Sequence, residues 1–282
     1  MTAADRAAVD ITDADATARA VAGHELVINA AAWTDVEAAE RAEAAATEVN
    51  GAAVARLAGA CAASGIPLLH VSSDYVFAGS TRVPYPEDAP PGPVNAYGRS
   101  KLAGERAIRR LLPERGYIVR TAWLYGEHGP NFVATMLNCA ARSPSVDVVV
   151  DHVGQPTWST ALARQLALLG RAAQLRVAPP GVYHGTSSGC TSRYELTRTL
   201  FHLAGLDPRR VRPVTGAHFP GPVRRPAYAV LAHDRWSAAG VAVQEPWHLQ
   251  LRQALETPGL ATLARRAREY PVQPAPLGTA GR

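Results

Sequence analysis

The strongest constraint on the fold is an alternation of short apolar runs with longer helical stretches. Residues 25–29 (ELVIN), 66–72 (IPLLHVS), 117–121 (YIVRT) and 146–150 (VDVVV) are short and rich in β-branched residues. Each reads as a buried strand. Residues 44–63, about 96–112 and 132–142 carry apolar side chains at helical spacing. Asn95 is placed to cap the second of these helices. Parallel strands need a crossover between them, usually a helix. The pattern therefore predicts an α/β fold on a parallel sheet. Beyond residue 150 the spacing is less regular. It predicts helices over 160–173, 192–204 and 247–255, and a strand over 181–186. A disordered tail is expected at 273–282.

Composition narrows the function classes. With 47% hydrophobic and 19% charged residues, the chain has enough apolar material for a sizeable core. No apolar run approaches the ~18 residues of a membrane helix, and no signal-peptide stretch is evident. Cys61, Cys139 and Cys190 are far apart, which suits a reducing cytoplasm better than a disulfide framework or a metal site. The net charge of +5 is scattered over arginine pairs such as Arg109–Arg110 and Arg265–Arg266. That is no nucleic-acid stripe, though a basic chain attracts small anions.

Of the 29 basic residues, only Lys101 is lysine. A single ammonium in an arginine-rich chain marks a place where a compact donor is wanted rather than a guanidinium fork. Four residues earlier stands Tyr97, on the same face of the expected helix. A free phenol, with a pKa near ~10, is a poor acid–base group at neutral pH. A neighbouring ammonium is expected to lower it, helped by the first-turn position in the helix. Ser72-Ser73-Asp74-Tyr75 follows the 66–72 strand, where parallel sheets gather ligands. A hydroxyl there can bind a substrate oxygen beside the tyrosine; a turn or capping cluster reads the same residues structurally.

Ser73, Tyr97 and Lys101 together resemble the Ser/Thr-Tyr-Lys triad of the extended short-chain dehydrogenase/reductases. Among these, the pattern is most similar to the dTDP-4-dehydrorhamnose reductases. The resemblance is carried by Asp10-Ile-Thr-Asp13, Val27-Ile-Asn-Ala-Ala-Ala32 with Thr34, Ser73-Asp-Tyr-Val-Phe77 and Asn95-x-Tyr-Gly-x-x-Lys101. Arg120-Thr-Ala-Trp-Leu-Tyr125, Asp151-x-x-Gly-x-Pro-Thr157, Gly181-Val-Tyr-His184 and Arg225-Pro226 continue it. It implies a Rossmann-type domain over 1–145 and a mainly substrate-binding domain over 146–272, with strand 181–186 returning to the Rossmann sheet.

The resemblance also implies a reaction: reduction of the 4-keto group of a dTDP-4-dehydro-6-deoxyhexose by NADPH or NADH. Tyr97 would give the proton, Lys101 would hold the nicotinamide ribose, and Ser73 would steady the oxygen. Asp74 and Trp123 would meet the sugar. Asp10 and Ile11 would lie at the adenine end of the cofactor, and Ala31, Ala32, Trp33 and Thr34 near its ribose and phosphates. A core role for Trp123 and a capping role for Asp10 stay open. A related nucleotide-sugar ketoreductase, or a silent regulatory relative like the methionine adenosyltransferase regulatory subunit, remains as an alternative. No nucleic acid or membrane partner is expected, and a homodimer stays open.

Members of that family carry a strand, a Gly-x-x-Gly-x-x-Gly loop, a helix and a second strand before the stretch matching Asp10. Here Asp10 stands ten residues from Met1, and no such glycine loop occurs. The expectation is an N-terminally truncated Rossmann sheet, with strand 25–29 left at an edge and weak binding of the dinucleotide. A start assigned downstream of the true one is the leading explanation, ahead of a degenerate copy or a different role.

Overall fold

The structure is a computed structural model, and it describes residues 2–219 and 221–270. The tail expected over 273–282 lies outside the described residues. Four strands, Val27–Asn29, Leu68–Ser73, Gly116–Thr121 and Gly181–His184, hydrogen-bond in that order into one parallel sheet. Alternate residues along each strand feed opposite cores, as a period of two requires. Leu69, Tyr117, Val119 and Tyr183 pack on Leu162, Leu166 and Leu169 of the helix Ser159–Gln174. Leu68, Ile118 and Val182 pack on Val54, Leu57 and Cys61 of the helix Ala53–Ser64 and on Ile108 of the helix Ala96–Leu111.

The helix expected over 44–63 forms in three pieces. Glu43–Thr47 and Ala53–Ser64 flank a π-helical turn, Glu48–Ala52. It ends at Gly65, whose φ of +66° is a left-handed cap that glycine adopts without strain. Ahead of it, the helix Ala14–Val21 is capped by the Asp13 side chain and buries Val21 in the same core. The sequence does not announce this helix, because Val21 is its one large apolar side chain. Val27–Asn29 has one strand neighbour among the described residues, and Ile28 is 41% exposed.

Val146–Val149 does not join this sheet. It pairs in parallel with Val211–Val214, a strand the sequence hides because Arg212 and Pro213 break its apolar run. Around this pair, the helices Phe132–Ala140, Arg193–Leu203, Trp247–Leu255 and Pro258–Arg268 share a core of Leu137, Leu200, Phe201, Leu251 and Leu260. Among the described residues, no helix is long and apolar enough to cross a membrane.

Candidate active site

The helix Ala96–Leu111 is held at its start by three contacts. Asn95 accepts from the Gly98 amide at 2.8 Å and donates to the Arg224 carbonyl at 2.9 Å. The Glu40 carboxylate accepts from the Ala96 amide at 2.8 Å, a favourable place for negative charge. Gly98 lets the helix close on the Asp74–Val76 turn, because a side chain there would collide with the Tyr75 carbonyl.

Deeper in, Glu105 of this helix forms a fully buried two-point ion pair with Arg120, at 2.9 and 2.7 Å. Ser72 donates to the same carboxylate at 2.6 Å. Helix and strand ends are thereby fixed in register, which a site requiring sub-ångström placement needs.

At the carboxyl end of Leu68–Ser73, the Ser73 hydroxyl donates to Asp74 Oδ1 at 2.9 Å and accepts from the Tyr75 amide at 3.2 Å. Ser73 also lies near enough to the Tyr97 phenol to perturb it. The Tyr97 ring meets Tyr75 edge-on, with centroids 5.4 Å apart. Asp74 is buried, and its Oδ2 finds no hydrogen-bond partner among the described residues. Such an orphaned oxygen in a cleft marks a place for a ligand donor. Burial pushes the Asp74 carboxyl up to about 7, against the pull of Ser73 and Arg193.

One expectation is corrected. The Tyr97 phenol is not lowered: burial pushes it above its ordinary value, Asp74 and Tyr75 add to the rise, and Ser73 only opposes it. Lys101 does not offset this, because its ammonium turns inward. Nζ donates to the Val71 carbonyl at 2.8 Å and lies 3.5 Å from His70 Nε2. Burial lowers Lys101 to about 8, with Glu105 acting the other way. The protonated phenol is nonetheless the form that a proton donor requires. The ammonium has three donors, and the Val71 carbonyl takes one of them. A ribose hydroxyl is a fitting partner for another.

The residues expected at the other end of the cofactor gather elsewhere. Asp10, Ile11, Ala31, Ala32 and Trp33 line a cavity of about 860 Å³ beside the Val27–Asn29 strand; Thr34 lies outside it, exposed. Asp10 accepts from the Thr12 amide and hydroxyl at 2.9 and 2.7 Å. Those bonds hold its carboxyl below the ordinary value. Asp10 thus closes a local turn, while Asp13 caps the helix. The loop is tied to the catalytic helix by Asn50 of the π-helical turn. Asn50 accepts from the Trp33 amide at 2.9 Å and donates to Ser100 Oγ at 2.9 Å, and Ser100 donates to the Tyr97 carbonyl at 2.7 Å.

Trp123 reaches the site from the strand Gly116–Thr121. Its φ of +46° is left-handed, a conformation that costs a tryptophan about 1–3 kcal/mol and marks functional positions. A side chain at Gly154 would strike its indole. Arg193 packs its guanidinium 3.7 Å from the Trp123 centroid and 4.5 Å from that of Phe132.

Sequence reasoning missed Asn50, His70 and Arg193 as parts of this region. Their neighbours come from distant segments, and no local spacing announces them.

Comparison with known proteins gives one consistent answer. The family described as RmlD substrate binding domain matches residues 1–259. A dTDP-4-dehydrorhamnose reductase of Streptomyces griseus is 49% identical over 90% of this chain and 84% of its own length. A dTDP-4-keto-6-deoxy-D-glucose reductase of Streptomyces niveus is 46% identical over 87% and 84%. The crystal structure of a dTDP-4-dehydrorhamnose reductase from Bacillus anthracis, in complex with NADP, superposes with a TM-score of 0.84. It is 31% identical, covering 90% of this chain and 89% of that one.

Proposed function

Because the chain belongs to the family of the RmlD substrate binding domain, we infer that it is a reductase of dTDP-4-dehydrorhamnose, making dTDP-rhamnose with NADPH. The observation that carries this reading is the placement of Ser73, at the carboxyl end of a parallel strand, beside Tyr97, with Lys101 one helical turn further on. Bound NADPH supplies a hydride to the sugar C4. Tyr97, held neutral by burial, gives its proton to the keto oxygen as that oxygen gains charge. The Ser73 hydroxyl turns its one proton from Asp74 Oδ1 to the same oxygen and stabilises the developing alkoxide. Lys101 holds the nicotinamide ribose. The orphaned Asp74 Oδ2 accepts from a sugar hydroxyl, and Trp123 packs on the ring.

Residues 1–145 act in this reading as the dinucleotide-binding part, with Asp10, Ile11, Ala31, Ala32, Trp33 and Thr34 toward the adenine and phosphates. Residues 146–272 supply most of the substrate side, apart from the strand that returns to the sheet. Free, well-separated cysteines suit a cytoplasmic enzyme.

A second reading differs only in the sugar, and the comparable identity to the Streptomyces niveus 4-keto-6-deoxyglucose reductase favours keeping it. The test is to incubate the protein with dTDP-4-dehydrorhamnose and NADPH and identify the product by NMR. dTDP-rhamnose supports the first reading. Turnover of another dTDP-4-keto-6-deoxyhexose alone supports the second, and no turnover of either refutes both.

A further inference from the structure

Arg193 is the first residue of the helix Arg193–Leu203. A cation there opposes the helix dipole, so helix stability does not explain it. No hydrogen bond or ion pair among the described residues fixes its side chain; two aromatic faces do. Arg193 packs on Trp123 and Phe132 and faces Asp74 and Tyr75, while its own amide donates to the His152 carbonyl at 3.3 Å. At 3.7 Å from the centroid, with the guanidinium partly desolvated, the contact with Trp123 is a strong cation–π geometry. Trp123 is also the residue held at a left-handed φ. The other titratable groups near Asp74 are Tyr75 and Tyr97, and Arg225 and His152 lie within charge range of Arg193.

We propose that Arg193 is the positioning residue of the sugar subsite: its flat face clamps the Trp123 indole beside the orphaned Asp74 Oδ2, which accepts from a sugar hydroxyl. The proposal rests on the reductase reading for the identity of the sugar, but not for the clamp itself. One guanidinium couples two walls of the subsite that come from different strands. Asp74 and Trp123 therefore respond together when Arg193 changes. Burial raises the Asp74 carboxyl and Arg193 opposes that rise, so removing Arg193 moves the Asp74 titration to higher pH.

The experiment compares Arg193→Gln and Arg193→Lys with the parent protein in two readouts. The first is the pH profile of KM for the dTDP-4-keto sugar, with kcat recorded beside it. The second is the Trp123 emission, isolated by subtracting the matching Trp123→Phe protein. Arg193→Gln is expected to raise KM about tenfold or more while kcat changes less. Its Asp74 limb shifts up by about one pH unit, and its Trp123 emission changes.

Arg193→Lys keeps the charge but lacks the flat face. It should restore the limb and leave KM raised. A folded Arg193→Gln protein with KM within about twofold of the parent, the same limb and the same emission overturns the proposal. If Arg193→Gln does not fold, Arg193→Lys decides: parent values of KM and emission overturn it. If the parent protein reduces no 4-keto sugar, the functional reading fails alone, and the emission comparison still decides the clamp.

Discussion

The tyrosine end of the site and the groove near the N-terminus are built by opposite means. Around Tyr97, side chains do the work: Ser73, Asp74, Lys101, Glu105 and Arg120 are buried and joined by short hydrogen bonds. Around the 31–34 loop no charged side chain is buried: Asp10 closes a half-exposed turn with Thr12, Ala31 and Ala32 offer no polar side chain, Thr34 is exposed, and the neutral Asn50 amide holds the Trp33 backbone. A proton must be placed on one particular atom, which demands fixed, desolvated groups. A nucleotide's ribose and phosphates can be held by chain path and amides, which tolerate many side chains. Substitutions should therefore act strongly and specifically at the first region and weakly at the second.

The largest effect is expected at Tyr97. Tyr97→Phe should lower kcat by about 10²–10⁴, with NADPH binding nearly unchanged by calorimetry. A variant that keeps more than about a tenth of the parent kcat would erase the contrast between the two regions. Next comes Lys101→Arg, which keeps charge but adds bulk in a buried slot beside Val71 and His70. Overpacking should cost about 1–3 kcal/mol of stability, read by urea unfolding. The guanidinium, lacking a compact ammonium, should also raise KM for NADPH. Parent-like stability and KM would make Lys101 a replaceable charge.

Asp74 gives a smaller effect with a definite sign. Its folded carboxyl titrates near 7, well above its ordinary value of 3.8, because of burial. The folded state therefore binds more protons than the unfolded state between those values, and this residue's contribution to stability falls as pH rises through that window. Asp74→Asn should remove that part of the slope and raise Tm at neutral pH by on the order of a few degrees. An unchanged difference between the two proteins from acid to neutral pH would show that Asp74 is already ionised without penalty. The smallest effect is expected in the groove. Asp10→Ala, at a half-exposed turn, should be the mildest of these changes, with the urea unfolding midpoint nearly that of the parent. A loss as large as that of Lys101→Arg would mean that this turn is as tightly built as the tyrosine end.

Much of this organisation was legible in the sequence. The strands of the parallel sheet announce themselves because both faces are buried, which leaves short apolar runs at Leu68–Leu69 and Tyr117–Val119 with no polar alternation. Tyr97 and Lys101 are legible because a helix converts a spacing of four into adjacency. Val211–Val214 was not, because Arg212 and Pro213 interrupt its apolar residues and its partner lies 65 residues away. The inward turn of Lys101 was hidden for a related reason. Periodicity gives the helix face, but the Val71 carbonyl that captures the ammonium belongs to a strand whose position only the fold supplies. Arg193 was invisible because its meaning depends on Trp123, Phe132 and Asp74, which three other segments bring to it.

The central claim is that this site passes a hydride to a sugar C4 while Tyr97 protonates the oxygen. The most direct test uses NADPH deuterated at the nicotinamide C4, each face in turn, with dTDP-4-dehydrorhamnose as acceptor. The product is then read by NMR and mass spectrometry. The account predicts one deuterium at C4 of the dTDP-sugar from one of the two labelled cofactors, and next to none when Tyr97→Phe replaces the parent protein over the same interval. Product without label from either cofactor, or equal labelled product from Tyr97→Phe, would contradict it.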